Sequence, residues 1–552
     1  MIDEKNKNVL LKIAGLAFSV FLLTFAGMYI FGTTNTDLTL PTIIKGIDVT
    51  NVAHKGVPIE IDGTDLKDIL PDISKYPPQV EKSTTSYIEI FSSPEKAGSG
   101  TDGWLTEVAR DFNRAEMIIE GKQVSVRLRG IASGQGADYI TSQKHLPDAY
   151  TPSNELWGEM IISRGIKAEL IQKRLAGNVA GILLTKAKRE ELEGRYGKIN
   201  ITTIINAVAK NQLQMGYTNP LASSTGLNFL ISTLQAIDGS NPLSYRAVSG
   251  FESFQDNIPV VAYTTLQMRE SARSGILEGF ILEYQTYINT PDIRSYEFIP
   301  FGVRHDSPIY AIGEISPEKM KILSEFIDFT QREKYQKLAN EYGFNGLDQY
   351  QPESGPVSGD VIIQAQKIWK EEKDPMPICA IFVADVSGSM EGEPLNKLKR
   401  SLMEGQKYIG NDNLVGLISY SDDVHIDLPI SKFELKNRSL FSGAVHDLQT
   451  GGSTATFDGI AVALDMLQKE KEKDPNLKLR IFVLSDGETN RGHSLNEIRG
   501  IVEESGIPIY TIGYNADIEA LREISRINEA ASINADTDDV VYELRNLFNA
   551  EM

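Results

Sequence analysis

Four runs of residues, ICAIFVAD (378–385), LVGLISY (414–420), LRIFVLSD (479–486) and IPIYTIGY (507–514), are apolar almost from end to end. A strand with one wet face alternates polar and apolar side chains. Unbroken runs belong instead to strands covered on both faces, as in a parallel sheet with helices on each side. Amphipathic stretches lie between the runs, at Leu395–Ile409, Phe457–Leu467 and Leu495–Ser505, and these read as the covering helices. The C-terminal part of the chain is therefore expected to be an α/β unit with a mostly parallel sheet. Ligands of such sheets lie in the crevice at the carboxyl ends of the strands.

Three polar clusters fall at that edge. The first strand ends in Asp385-Val-Ser387-Gly-Ser389, a later loop reads Gly451-Gly-Ser-Thr454-Ala-Thr-Phe-Asp458, and another strand ends in Ser485-Asp486-Gly487. Two carboxylates and three hydroxyls make an all-oxygen donor set that suits Mg²⁺ or Mn²⁺. The carboxylates only neutralise such an ion and the hydroxyls add no charge, so an open position would still attract an outside carboxylate. These residues resemble the von Willebrand factor A (VWA) domain and its metal-ion-dependent adhesion site. That pattern, Asp-x-Ser-x-Ser with a separate Thr and a later Asp, is met at Asp385, Ser387, Ser389, Thr454 and Asp486. The resemblance covers 376–552 and implies a Rossmann-like fold in which Ser387, Ser389 and Thr454 bind the metal directly. The two aspartates would act directly or through water. Thr454 is preferred to Ser453 because Thr-Ala-Thr-Phe-Asp458 keeps the family's spacing. The implied partner is a protein offering an acidic side chain.

From Tyr87 to Phe344, strand-like and helix-like runs alternate. Residues 85–345 resemble a type 2 periplasmic solute-binding domain, which implies two α/β lobes about a cleft. The segments that carry the likeness are IEIFSSPEK (88–96), GIASGQGAD (130–138), PDAYTPSNELW (147–157), TNPLASSTGLNFL (218–230) and Ser316–Asn345. Ser/Thr/Gly loops at helix starts offer free N–H groups to an anion. Ser92, Ser93, Ser133, Gly134, Ser223, Ser224 and Thr225 are the candidate ligand residues, for a small anionic solute. Asp148 and Arg304 either face the cleft or are solvated, Arg304 more readily the latter. Ser93-Pro-Glu-Lys96 matches the Ser-x-x-Lys of penicillin-recognising enzymes, but no KTG follows and ordinary surface-loop chemistry is expected.

Ile13–Phe31 (IAGLAFSVFLLTFAGMYIF) carries no charge, follows Lys5, Lys7 and Lys12, and precedes no basic residue until Lys45. Its length and flanks fit a transmembrane anchor with a cytoplasmic N-terminus; a cleaved signal peptide is the rival reading. The expected organisation is thus a cytoplasmic N-terminus at 1–12, an anchor at 13–31, and a lead-in at 32–84 with strand-like pieces at Thr42–Val49 and Val57–Ile61. The solute-binding-like region at 85–345, a linker with a helix at 346–375 and the VWA domain at 376–552 follow. Such a protein would sit in the cell membrane, single-pass, with its ectodomain extracellular. With 55 basic against 75 acidic residues the formal charge is −20, which argues against a nucleic-acid partner. The six histidines are scattered without zinc-ligand spacing, and the lone Cys379 reads as a buried small hydrophobe. The expected function is binding without catalysis: a membrane-anchored receptor that recognises a protein through its metal site and a small solute through its cleft. A solute receptor with the VWA domain as scaffold and a chelatase-like accessory subunit are the alternatives.

Overall fold

The computed structural model describes residues 39–58, 67, 70–255, 257–258, 260–262, 268–269, 277–352, 355–372, 377–487, 489–514, 519–527 and 532–534. The C-terminal sheet has seven strands in the order Val49–Asn51, Val424–Lys432, Leu414–Tyr420, Ile378–Asp385, Lys478–Ser485, Ile509–Gly513 and Ser532–Asn534. All neighbours are parallel except Leu414–Tyr420 with Val424–Lys432. Every residue of Ile378–Asp385 is buried, as a central strand covered on both faces requires. One apolar cluster fills each face of the sheet, with Phe382 and Phe482 on one side and Ile381, Val483 and Leu464 on the other. Cys379 is buried in the second of these, and burial pushes its thiol up to about 12.

The lead-in belongs to this sheet. Thr42–Val49 was expected as a strand, but Leu40–Ile44 is a helix, with Thr39 at its N-cap and Pro41 in its first turn, where a missing N–H costs nothing. Leu40 and Ile43 pack into the cluster that holds Ile460, Ala463 and Leu467. Val49–Asn51 then pairs in parallel with Val424–Ile426. His54 bridges Asp427 at 3.0 Å and Asp447 at 3.1 Å. A Cβ on Gly443 would lie 1.9 Å from the Lys55 carbonyl oxygen, so glycine is what lets the lead-in approach.

Two further sheets lie between these elements. One has six strands in the order Ile118–Ile119, Lys122–Gly130, Ser86–Ser92, Ala149–Thr151, Ile309–Ile312 and Ala168–Gln172. The other has five: Tyr296–Arg304, Val179–Thr185, Gly279–Glu283, Met215–Thr218 and Val260–Ala262. The chain passes between them at 173–178 and at 305–308, and the two crossings are joined by the His305 N–H donating to the Asn178 carbonyl at 3.0 Å. Helix Gly359–Glu372 packs on this region: Trp369 is fully buried and its indole donates to the Tyr217 hydroxyl at 2.6 Å. The expected linker helix is thus part of a core.

The expectation of a transmembrane helix is corrected. Residues 13–31 lie outside the described residues, and among the described residues no helix is long and apolar enough to cross a membrane. The longest described helix, Thr456–Lys473, carries Asp458, Asp465 and the charged run Lys469–Lys473, whose burial in lipid would be prohibitive. The fold class is mixed α/β, with no membrane-spanning helix among the described residues, and the single-pass cell-membrane placement with an extracellular ectodomain is withdrawn with it.

Ile43 is 1% exposed, so Ile43→Ala should destabilise the seven-stranded unit by about 2–5 kcal/mol, the usual cost of truncating a core isoleucine. Denaturant unfolding checks this; an unchanged midpoint would mean that the lead-in does not dock.

Candidate functional site

Strand register builds the first site. Asp385 lies opposite Tyr420, and Ala384 opposite Leu484, so Asp385, Tyr420 and Ser485 end their strands together. Asp385 is wholly buried. Its Oδ1 accepts the Ser387 N–H at 2.8 Å, while Oδ2 accepts the hydroxyls of Ser485 at 2.6 Å and Tyr420 at 3.2 Å. No cationic side chain pairs with Asp385 or Asp486 among the described residues. Burial raises the Asp385 pKa above the usual carboxylate range, and the neighbouring Asp486 charge adds to the rise.

The loops meet through backbone bonds. Gly388 N–H donates to the Gly452 carbonyl at 3.1 Å and Gly451 N–H to that of Val386 at 2.8 Å. Thr454 N–H donates to Asn490 Oδ1 at 2.8 Å, and its carbonyl accepts from the N–H groups of Asn490 and Arg491. Asp422 Oδ1 accepts from Ser453 N–H at 3.1 Å, and Arg491 Nε donates to the Asp422 carbonyl at 3.0 Å. Ser453 is therefore tied down through its backbone, whereas the hydroxyl of the buried Thr454 makes no hydrogen bond among the described residues.

Ser387 Oγ and Ser389 Oγ lie 3.0 Å apart. Two adjacent ligands of an octahedral ion at about 2.1 Å from the metal are separated by about 3.0 Å, so this spacing fits Mg²⁺ or a similar ion. A buried carboxylate without a cation beside it, a second aspartate, a hydroxyl pair at this spacing and an unspent threonine hydroxyl together suit a hard divalent cation. The structure brings the loops of all five expected residues to one edge. Tyr420, Ser485 and Asn490, which position them, were not read from the sequence; only Ser485 had a signal, its place at a strand end beside Asp486.

A second site lies at the carboxyl ends of strands from the other two sheets. Ser93, Pro94, Glu95, Ala132, Ser133, Ser153, Ala222, Ser223, Ser224 and Glu283 line a cavity of about 70 Å³. Four of the seven expected ligand residues, Ser93, Ser133, Ser223 and Ser224, are on this lining. The other three are not. The Ser92 hydroxyl donates to the Ser93 carbonyl at 3.4 Å, Thr225 Oγ1 donates to Glu283 at 3.3 Å, and Gly134 N–H donates to the Ala222 carbonyl at 3.0 Å. A Cβ on Gly134 would meet the Leu221 carbonyl oxygen at 2.1 Å, so the two sides of the cavity touch at this glycine.

Carboxylates were missed here. Glu95 accepts from the hydroxyls of Ser153, at 2.6 Å, and Ser93. Lys96 is not on a surface loop: it is fully buried, donates to Ser93 Oγ and lies 3.8 Å from Glu95. Its burial lowers its pKa, against the pull of Glu95 and Glu283. Arg304 is neither cleft-facing nor solvated: it pairs with Asp306 at 2.9 Å and donates to the Leu347 carbonyl. Asp148 pairs with Lys319 at 2.7 Å and accepts the Glu89 N–H.

Residues 381–549 match the model of the von Willebrand factor type A domain, so the chain carries a VWA domain. Similar curated proteins include the inter-alpha-trypsin inhibitor heavy chain H3 of Bos taurus, 28% identical over 26% of this chain and 17% of that one. The voltage-dependent calcium channel subunit alpha-2/delta-2 of Homo sapiens is 25% identical over 26% of this chain and 13% of its own. The chain thus spans about a sixth or less of the length of these relatives. Among solved structures, a periplasmic thiamin binding protein covers 53% of this chain and 99% of its own, at 8% identity and a TM-score of 0.40.

Because the folded-state pKa of Asp385 is raised, the folded chain without metal loses stability as pH rises through that pKa, and recovers it as pH falls toward the unfolded value. Asp385→Asn should therefore melt higher than the parent at neutral pH without divalent ions, with the gap closing near pH 4. A lower melting point for the variant at neutral pH would contradict this account.

Proposed function

We propose that the VWA domain recognises a protein partner through a divalent metal, Mg²⁺ or Mn²⁺, and that the two-sheet region encloses a small solute. Asp385, Ser387, Ser389, Thr454 and Asp486 would hold the ion. The observation that carries this reading is the wholly buried Asp385 carboxylate, strapped by Ser485, Tyr420 and the Ser387 N–H yet lacking a cation. When bound, the ion supplies a Lewis-acidic position for an outside carboxylate. The chain's own residues do the rest. The Tyr420 and Ser485 hydroxyls fix the Asp385 rotamer, and the bonds between Val386, Gly388, Gly451 and Gly452 hold the hydroxyl loops in register. Binding rather than catalysis is the role we assign. Solute binding is supported by the cavity at the strand ends of both sheets.

Replacing Asp385 with Ala should weaken capture of an acidic peptide or protein in Mg²⁺ by at least about tenfold, as disruption of a metal's supporting shell does. Chelation of the metal should do the same to the parent chain. Binding that survives both treatments would refute the metal bridge.

A further inference from the structure

The cavity's hydrogen bonds determine its charge. Asn228 is fixed by Val303, since its Oδ1 accepts the Val303 N–H at 2.9 Å and its Nδ2 donates to the Val303 carbonyl at 2.8 Å. Asn154 is fixed likewise, with Oδ1 accepting from Leu156 N–H at 3.2 Å and Nδ2 donating to the Ser224 carbonyl at 3.1 Å. Both amide nitrogens point their hydrogens at His305 Nε2, each at 3.1 Å. That ring nitrogen is therefore an acceptor, the ring proton sits on Nδ1, and Nδ1–H donates to Glu283 at 2.8 Å. His305 is a neutral imidazole, 0% exposed, beside a Glu283 that is 2% exposed.

Among the described residues the hydrogen-bond donors to Glu283 are neutral: His305, Asn178 at 2.8 Å and Thr225. Glu95 is balanced by Lys96, and Asp102, whose charge interacts with that of Glu95, is paired with Arg269 at 3.5 Å. Among the described residues the walls therefore carry one more negative than positive charge, and loss of the Lys96 proton would add another. A buried charge of this kind calls for a counter-ion. The free hydrogen-bonding sites agree with that. Ser93 and Ser153 have turned their hydroxyl hydrogens onto Glu95 Oε1, and its Oε2 accepts none among the described residues. Ser133 is 4% exposed, lines the cavity and has a hydroxyl without a partner among the described residues.

We infer that the cavity binds a small primary ammonium group, not the anion expected from the serine-rich loops, with Glu283 and Glu95 as its counter-charges and Ser133 as an acceptor. This rests on the solute-binding reading above and replaces its ligand class. About 15 Å³ admits one water, so the cavity holds a group the size of methylammonium, either free or as the amine end of a larger solute.

The test is thermal melting of the full-length chain at constant ionic strength with methylammonium, ethanolamine, tetramethylammonium, sodium or sulfate. Methylammonium should raise the midpoint by several degrees, and the rise should be lost in Glu283→Gln and at least halved in Ser133→Ala and Glu95→Gln. If Glu283→Gln does not fold, the other two variants decide. A larger rise with ethanolamine than with methylammonium also supports the assignment and points to the amine end of a larger solute. An equal rise with tetramethylammonium, which has no N–H, would overturn the hydrogen-bonded ammonium. A rise with sulfate alone would overturn the cation while leaving a solute cleft. No rise with any of these would overturn both.

Discussion

A carboxylate taken out of water needs either a cation or a full set of donors, and the cost of providing neither is several kcal/mol. Asp385 and Glu283 each end a central strand of their sheets, are nearly or wholly buried, and have no cationic side chain in direct contact among the described residues. The surrounding structure is arranged about these two charges. Around Asp385, hydroxyls from two neighbouring strands and a backbone N–H supply donors, the Ser387 and Ser389 hydroxyls bond each other, and the Thr454 hydroxyl makes no hydrogen bond among the described residues. Around Glu283, the Asn178 amide, the Thr225 hydroxyl and a neutral imidazole supply the donors, and the backbone N–H groups of Val179 and Gln285 lock the Asn178 amide. In both places the strand end delivers a charge to the crevice that an α/β sheet leaves open.

The two sites differ in what they can accept. At the VWA edge the ring of oxygens includes three hydroxyls, no cation and two carboxylates, which matches a divalent ion with a vacancy for an outside acid. In the cavity the carboxylates are two, one already balanced by Lys96, so a monovalent group restores neutrality. A divalent ion there would overshoot, and an anion would face Glu95 and Glu283 directly. Charge counting separates the two ligand classes even though both linings consist largely of serine and carboxylate.

The metal residues were legible because each is a short polar cluster directly after an apolar run: Asp385 to Ser389, and Asp486 after LRIFVLS. Their supports were not. Tyr420 reads as one more aromatic on a buried strand, and only the pairing of Asp385 with Tyr420 reveals its role. In the cavity, serines at helix starts were visible one by one, but Glu95, Glu283, His305 and Asn178 come from four separate elements. No local pattern shows that they converge. The expectation of an anion counted donors on each loop and lacked the acceptors that fold in beside them. The lead-in failed differently. Pro41 opens a helix where β-branched residues favoured a strand, and the strand that does form pairs with Val424, far beyond any local signal.

That pairing makes the two-sheet region an insertion within the seven-stranded unit, since the strand before it and the strands after it share one sheet. A VWA unit cut at residue 376 would expose the outer side of Val424–Lys432, strip His54 from the buried Asp427 and uncover the cluster that holds Ile460 and Leu467. An exposed strand edge with a buried carboxylate beside it is a poor surface for a soluble domain. The edge strand covered by the lead-in is hydrogen-bonded to Leu414–Tyr420, whose last residue holds Asp385. The chain segment leaving the cavity region on its N-terminal side is therefore rooted two strands from the metal edge. Its C-terminal side is rooted at Ile378–Asp385 itself. Both ends of the inserted region are thus anchored in the sheet that positions the buried aspartate, so the integrity of that sheet depends on residues that precede the cavity region as well as on those that follow it.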